Sequence, residues 1–297
     1  MIDVAFLIDL SPRCRFRHFS ENRSRRVCGL ILGLGGWVSA MTNEGSLMWA
    51  GLAGVVPGSE VAVRFRGDDG AFVDTTLRRL PVEEVLAGRP VREFRSWQGR
   101  RHYSGWYWSA TTGGHVVYES RLELARILLA DQDPTVVAIA AQPFLLEGVD
   151  GDRKRRHVPD LLLAHKDGTL TVVDVKAAAR VADPKVAAQF AWTRAVCERH
   201  GFGFEVWTGA DAVLVENLRF LAGYRRPATI ATELVPAVID AAVVPVAISA
   251  LERRLGLSVP QWLVRPVILH LLWRSWLVAD LSRVLGGDTL VSAEVVA

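Results

Sequence analysis

Cysteine is scarce in this 297-residue sequence: Cys14, Cys28 and Cys197 are the only three, with no C-x-x-C pair and no Cys/His cluster at zinc-ligand spacing. That excludes a disulfide scaffold and a zinc finger, and a reduced cytoplasmic protein is the expectation. Long uninterrupted apolar runs are also missing. RSRRVCGLILGLGGWVSAM (23–41) sets basic residues before an apolar stretch of signal-peptide length, but it is short for a membrane span and broken by glycines. VPAVIDAAVVPVAISAL (235–251) contains Asp240 and two prolines, and LVRPVILHLLWRSWLV (263–278) carries Arg265, His270 and Arg274, so both read as buried or amphipathic helices. A strong charge of one sign is absent as well. The 35 Lys and Arg against 32 Asp and Glu leave a net charge of +3, which permits a nucleic-acid partner but falls far short of a histone-like binder. No internal repeat or low-complexity tract interrupts the chain.

Half of the residues are hydrophobic, enough for a sizeable core, and the length suits about two domains. The first 57 residues have no clear period and are expected to be disordered, or to come from a start codon placed too early, since Met41 and Met48 lie just upstream of a change in character. EVAVRFRGDDGAFVDTTLRRL (60–80) reads as a hairpin closed by Gly-Asp-Asp-Gly. In REFRSWQGRRHYSGWYWSA (92–110) arginines alternate with Trp97, Tyr103, Trp106, Tyr107 and Trp108. Such residues can stack on bases and meet phosphates, or pack this piece onto its neighbour while the arginines face water.

From there the predicted order is helix, three strands, helix, strand. ESRLELARILLA (119–130) repeats its apolar residues near the 3.6-residue period. TVVAIAAQPFLL (135–146), HVPDLLLA (157–164) and TLTVVDVK (169–176) read as three consecutive strands, the last two joined by a Lys-Asp-Gly turn. Asp183-Pro184 opens a helix to about Cys197, and FGFEVWT (202–208) is the fourth strand.

Acids and a lysine inside segments that otherwise look buried need a reason, because an unpaired buried charge is costly. Strand alternation points Asp174 and Lys176 the same way, with Val175 toward the core. If the hairpin brings Asp160 beside them, two carboxylates converge and repel unless a cation lies between them; Mg²⁺ is a natural partner for such oxygens. Metal-assisted phosphodiester hydrolysis then fits, with Lys176 holding water or neutralising charge. The structural alternative is that Asp160 and Asp174 simply pair with Lys176 or nearby arginines. Glu123 is the next candidate, yet Ser120-Arg-Leu-Glu123 also fits a capping box, and Glu119 one turn away is its rival.

These features together resemble the PD-(D/E)xK nuclease superfamily, and within it the TnsA family, the endonuclease subunit of heteromeric cut-and-paste transposases, in its actinobacterial form. The resemblance is carried by GWYWSATTGGHVVYESRLELARILLADQDPTVVAIAAQPF, HVPDLLL, VVDVK and ENLRFLAGYRRP (216–227), and it is strongest from 92 to 227. It implies catalytic roles for Glu123, Asp160, Asp174 and Lys176, and metal ligation by Glu123, Asp160, Asp174 and the Val175 carbonyl. Family members can carry glutamine at the position of Asp174. Mg²⁺ is the implied cofactor, with Mn²⁺ as a substitute. Gln142 is a candidate for a supporting or DNA contact, and Arg153, Lys154, Arg155 and Arg156 for phosphate contacts, against the bland reading of RKRRH as a solvated loop.

The expected architecture is α/β, with a restriction-endonuclease-like core at 117–227, a small β-rich module at 58–116 and a winged-helix-like domain at 228–297. In that last domain a recognition helix is expected near 278–285, with Arg283 its only basic residue, so protein contact rivals DNA contact. The implied partners are transposon-end DNA, a DDE transposase that joins the 3′ ends and an AAA+ ATPase, with cutting confined to the 5′ strands. A stand-alone defence or repair nuclease and an inactive DNA-binding or scaffolding subunit are the alternatives.

Overall fold

The computed structural model describes residues 60–92 and 103–294. The chain divides into two units, Met1–Met48 and Trp49–Ala297, and every described residue lies in the second. The expectation for 1–57 and the Trp97 part of the basic and aromatic stretch therefore lie outside the described residues.

β1 (Ala62–Arg66) and β2 (Phe72–Thr76) form the expected hairpin, followed by α1 (Val82–Ala87). A second hairpin, β3 (Gly105–Ser109) and β4 (Gly114–Tyr118), precedes helix α2 (Arg121–Gln132). Next come β5 (Val136–Ala141), β6 (Phe144–Asp150), β7 (Arg153–His157), β8 (Leu161–His165) and β9 (Leu170–Val175). The short α3 (Ala178–Val181) leads to α4 (Pro184–Arg199), β10 (Gly203–Trp207) and α5 (Ala212–Leu221). Asp183 and Asp211 cap α4 and α5 by accepting from backbone N–H groups of the first turns.

Two four-stranded sheets result, in the orders β2-β1-β6-β7 and β10-β9-β8-β5. β5, β8 and β9 run antiparallel to one another in turn, and β10 runs parallel to β9. Strands β8 and β9 are buried on both faces, which is why LLLA and LTVV read as continuous apolar runs. Leu161, Leu163, Val173 and Val175 face one core with Ile127 and Leu128 of α2; Leu162, Leu170 and Val172 face a second core with Trp192 and Cys197 of α4.

The run 135–146 is two strands rather than one. Gln142, at φ 45°, turns the chain ahead of Pro143, so β5 and β6 enter different sheets. Proline inside an apolar run is the signal that marks such a break. RKRRH is likewise a strand, β7, and not a loop; Asp150 pairs with Arg153 across the Gly151 turn. The boundary expected at 116/117 cuts through a sheet, because β1 pairs with β6. A two-stranded hairpin cannot bury its own apolar face, and Val63 and Phe65 complete theirs against Phe144 and Leu146.

The remainder contains α6 (Val235–Ala241), β11 (Val246–Ala247), α7 (Ile248–Leu255), α8 (Gln261–Trp273), β12 (Leu277–Val278) and β13 (Leu290–Ala293), with a β11-β13-β12 sheet. Its apolar residues, among them Val238, Leu251, Ile268 and Trp273, join the same core as α2 and α5. Asn217 of α5, 7% exposed, ties down the β12–β13 loop by donating to the carbonyls of Leu281 and Arg283 and accepting from the Leu285 N–H. The helix expected near 278–285 is absent. α8 ends in a Schellman motif, with Ser275 at φ 57°, its N–H donating to Leu272 and the Trp276 N–H to Leu271. A serine in this left-handed position hides the stop from a reading that looks for glycine.

Candidate active site

The site is built at the end of β9. Continuing the β8–β9 register would set Pro159 opposite Val175, and proline has no N–H to continue the ladder. Asp160 takes over there: its own N–H donates to the Val173 carbonyl at 3.1 Å, its carbonyl accepts from the Gln142 N–H at 2.9 Å, and its Oδ2 accepts from the Val175 N–H at 2.7 Å. Its other oxygen has no hydrogen-bond partner among the described residues. Burial pushes the Asp160 carboxyl up to about 7, against the Val175 hydrogen bond, and the negative charges of Glu123 and Asp174 push the same way while Lys176 opposes them. Glu123, Asp174 and Lys176 thus lie near enough for their charges to be felt at Asp160.

Glu123 comes from the first turn of α2. Ser120 accepts from the Glu123 N–H at 3.1 Å, while the Glu123 carboxylate accepts from the Ser120 hydroxyl at 2.9 Å and the Glu119 N–H at 2.7 Å. The capping arrangement is therefore formed, and the same side chain also feels Lys176. Burial raises the Glu123 carboxyl above the ordinary carboxylate range, and these hydrogen bonds pull it back. Glu119 sits beside it and raises it further.

Asp174, expected as a further ligand, is turned elsewhere. It is 2% exposed, and both of its oxygens lie 2.8 Å from His157 Nε2. Sequence reasoning assigns His157 no role; its place three residues before Asp160, at the end of a charged strand, was the available signal. Lys176, just beyond β9, is fixed through its backbone N–H to the Trp207 carbonyl, and its side chain has no hydrogen bond or ion pair among the described residues.

Among the described residues no group of three or more His, Cys, Asp or Glu is arranged to hold a metal ion. The reason lies in the hydrogen bonds: Glu123 is folded back onto its helix cap and Asp174 onto His157. Asp160, with one unpartnered oxygen in a partly buried setting among other acids, does suit a hard dication. Glu123 suits it once its carboxylate leaves the cap. Asp174 does not fit without breaking its contacts to His157.

Gln142 is buried, at 2% exposure, and its Oε1 is buried without a partner, so it presents no surface to DNA; its backbone instead holds Asp160. On β7, Arg155 pairs with Asp150 and Arg156 with Glu147, both at 2.7 Å. Arg153 and Lys154 are exposed and have no ion-pair partner among the described residues. The aromatic stretch is partly packed and partly exposed. Tyr107 is buried and donates to Asp131, while Trp106 is 67% exposed. Arg225 and Arg226 stack on Trp108, which fastens the β3–β4 hairpin to the YRRP segment.

No helix among the described residues is long and apolar enough to cross a membrane. A search of the curated proteins found no match. Residues 133–209, which run from the end of α2 through β10 and include Asp160, Asp174 and Lys176 but not Glu123, match the family model described as TnsA-like endonuclease N terminal, and over that stretch the chain is similar to that family.

Proposed function

We propose that the chain is a metal-dependent DNA endonuclease of the PD-(D/E)xK type, serving as the subunit of a heteromeric transposase that hydrolyses the 5′, non-transferred strands at transposon ends. The observation that carries this reading is the partly buried Asp160 carboxylate, one oxygen on the Val175 N–H and the other unpartnered, raised to about 7 and within reach of the charges of Glu123 and Lys176, inside the stretch that matches the TnsA-like family. The order α2, β5, β8, β9, α4, β10 supports a PD-(D/E)xK core, with β6 and β7 as a hairpin that leaves it to pair with the N-terminal strands.

Asp160, Glu123 and the Val175 carbonyl would hold Mg²⁺, or Mn²⁺ in its place. When bound, the ion supplies positive charge against phosphate oxygens and acidifies water. Lys176, free of a competing partner, offers its ammonium to the charge that builds on the phosphate. Arg153 and Lys154 meet the DNA backbone and give affinity without reading sequence. The helix–strand–helix–helix–strand–strand order from α6 to β13 supports a winged helix. Its third helix, α8, is largely buried and its Arg265 is tied to Glu252, so contact with a partner protein suits it better than groove reading. A DDE transposase that joins the 3′ ends and an AAA+ ATPase are the partners this reading requires.

Strand-specific nicking of end-containing DNA, with Mg²⁺ or Mn²⁺ and with or without the cognate transposase, tests the proposal in the wild type, Asp160→Ala and Lys176→Ala. Cutting of the 5′ strands that needs the transposase and is lost in both variants is expected. Partner-independent cutting would favour a stand-alone nuclease, and cutting that survives both substitutions would put the active site elsewhere.

A further inference from the structure

We infer that His157 and Asp174 are a positioning pair for Asp160, with Asp174 the anchor of His157 and not a ligand of the cation; this rests on the metal-dependent reading above. The first ground is the commitment of Asp174. Its carboxylate is buried, and both oxygens lie 2.8 Å from one ring nitrogen of a side chain that is itself largely shielded. Turning Asp174 toward a cation would strand the His157 nitrogen in a site that offers little water.

The second ground is the face on which Asp174 lies. Alternation along β9 puts it with Leu170 and Val172, on the side where Trp192 and Cys197 of α4 pack. Glu123 belongs to α2, which packs on the opposite face against Val173 and Val175. The two acids thus approach the end of the sheet from different sides, and Asp160, beyond the end of β8, feels the charge of both.

The third ground is the segment His157-Val158-Pro159-Asp160. One end is held by His157 on Asp174, the other by the Asp160 N–H on Val173 and the Asp160 carboxylate on the Val175 N–H. Pro159, buried between them, fixes its own φ. The ties fall on consecutive residues of β9, so the segment has little freedom and Asp160 is set in one place. The same segment continues from β7, whose Arg153 and Lys154 face solvent. His157 therefore links the phosphate-facing strand to the carboxylate that would hold the cation.

Two measurements on the full chain decide the matter. In metal-free buffer, urea unfolding of His157→Ala, Asp174→Ala and the double variant reads the coupling of the pair; strong non-additivity is expected, and additive losses would overturn the inference. Calorimetric titration with Mn²⁺ then separates anchor from ligand. Asp174→Asn keeps an oxygen that accepts from His157, so its Mn²⁺ affinity should stay within about threefold of wild type, whereas Asp174→Ala should lose about tenfold and Asp160→Asn at least that. His157→Gln, whose amide can still donate to Asp174, is the companion variant if Asp174→Asn does not fold, with the same expectation. An Asp174→Asn loss as large as that of Asp160→Asn, or a gain of affinity in His157→Ala, would overturn the inference. Failure of the wild type to take up Mn²⁺ would instead remove the metal-dependent reading, and the metal-free cycle would still decide whether Asp174 anchors His157.

Discussion

The Asp160 carboxylate extends the pairing beyond β8 by accepting the Val175 N–H at 2.7 Å, while the Asp160 N–H, one residue past a proline that has none to give, donates to the Val173 carbonyl at 3.1 Å. The same placement surrounds the carboxyl with other acids and limits its access to water, which is why it holds its proton far longer than an ordinary aspartate.

A pH dependence of stability follows. The folded carboxyl titrates at about 7 against 3.8 for an ordinary aspartate, so the folded state binds the extra proton between those limits. This contribution is complete below the unfolded value and is lost as pH rises through about 7, amounting to about 4 kcal/mol at most. Thermal unfolding in EDTA across pH 4 to 8, taken as roughly the span of that titration, should show wild type losing stability relative to Asp160→Asn as pH rises. With Mn²⁺ present the trend should reverse, because the cation needs the carboxylate and competes with the proton. A constant difference between the two proteins would show that Asp160 is not buried among acids as described.

Glu123 can be separated from its cap. Glutamine is accepted in a capping box, so Glu123→Gln should change stability by less than about 1 kcal/mol while reducing nicking by about a hundredfold or more. Ser120→Ala removes the cap oxygen, costs about 1 kcal/mol and should leave nicking nearly intact. Urea unfolding together with single-turnover nicking reads both. The opposite pattern would make Glu123 a helix cap and nothing more.

The β7 strand offers a graded test of DNA contact. Arg153→Ala and Lys154→Ala should each weaken binding of any duplex and lower the salt slope by about one. Arg155→Ala and Arg156→Ala should do less, since those side chains are already paired with Asp150 and Glu147. Fluorescence anisotropy at several salt concentrations would measure the slopes; equal effects at all four positions would mean that the ion pairs open on binding.

Much of this was legible because short-range chemistry controls it. The short apolar strands, the Asp183-Pro184 helix start and the Gly-Asp-Asp-Gly turn are local signals, and the structure has each close to where it is expected. The break at Gln142-Pro143 was signalled by the proline, whereas the end of α8 was not, since Ser275 adopts a backbone conformation that usually marks glycine. The pairing of β1 with β6 had no sequence signal, because strand partners are chosen by which apolar faces remain uncovered once the chain has collapsed.

The sequence by itself determined the donor types of the candidate site, oxygen ligands beside a lysine, and the elements that bear them, through residue chemistry and periodicity. The Glu123 cap is a local motif that the sequence already offered, but only the tertiary structure decided how the other two donors are spent: Asp160 on the Val175 N–H and Asp174 on His157. The physical reason is that a buried polar atom takes the nearest partner that packing supplies. For Asp174 that partner comes from a different strand in the other sheet, beyond the reach of any spacing rule.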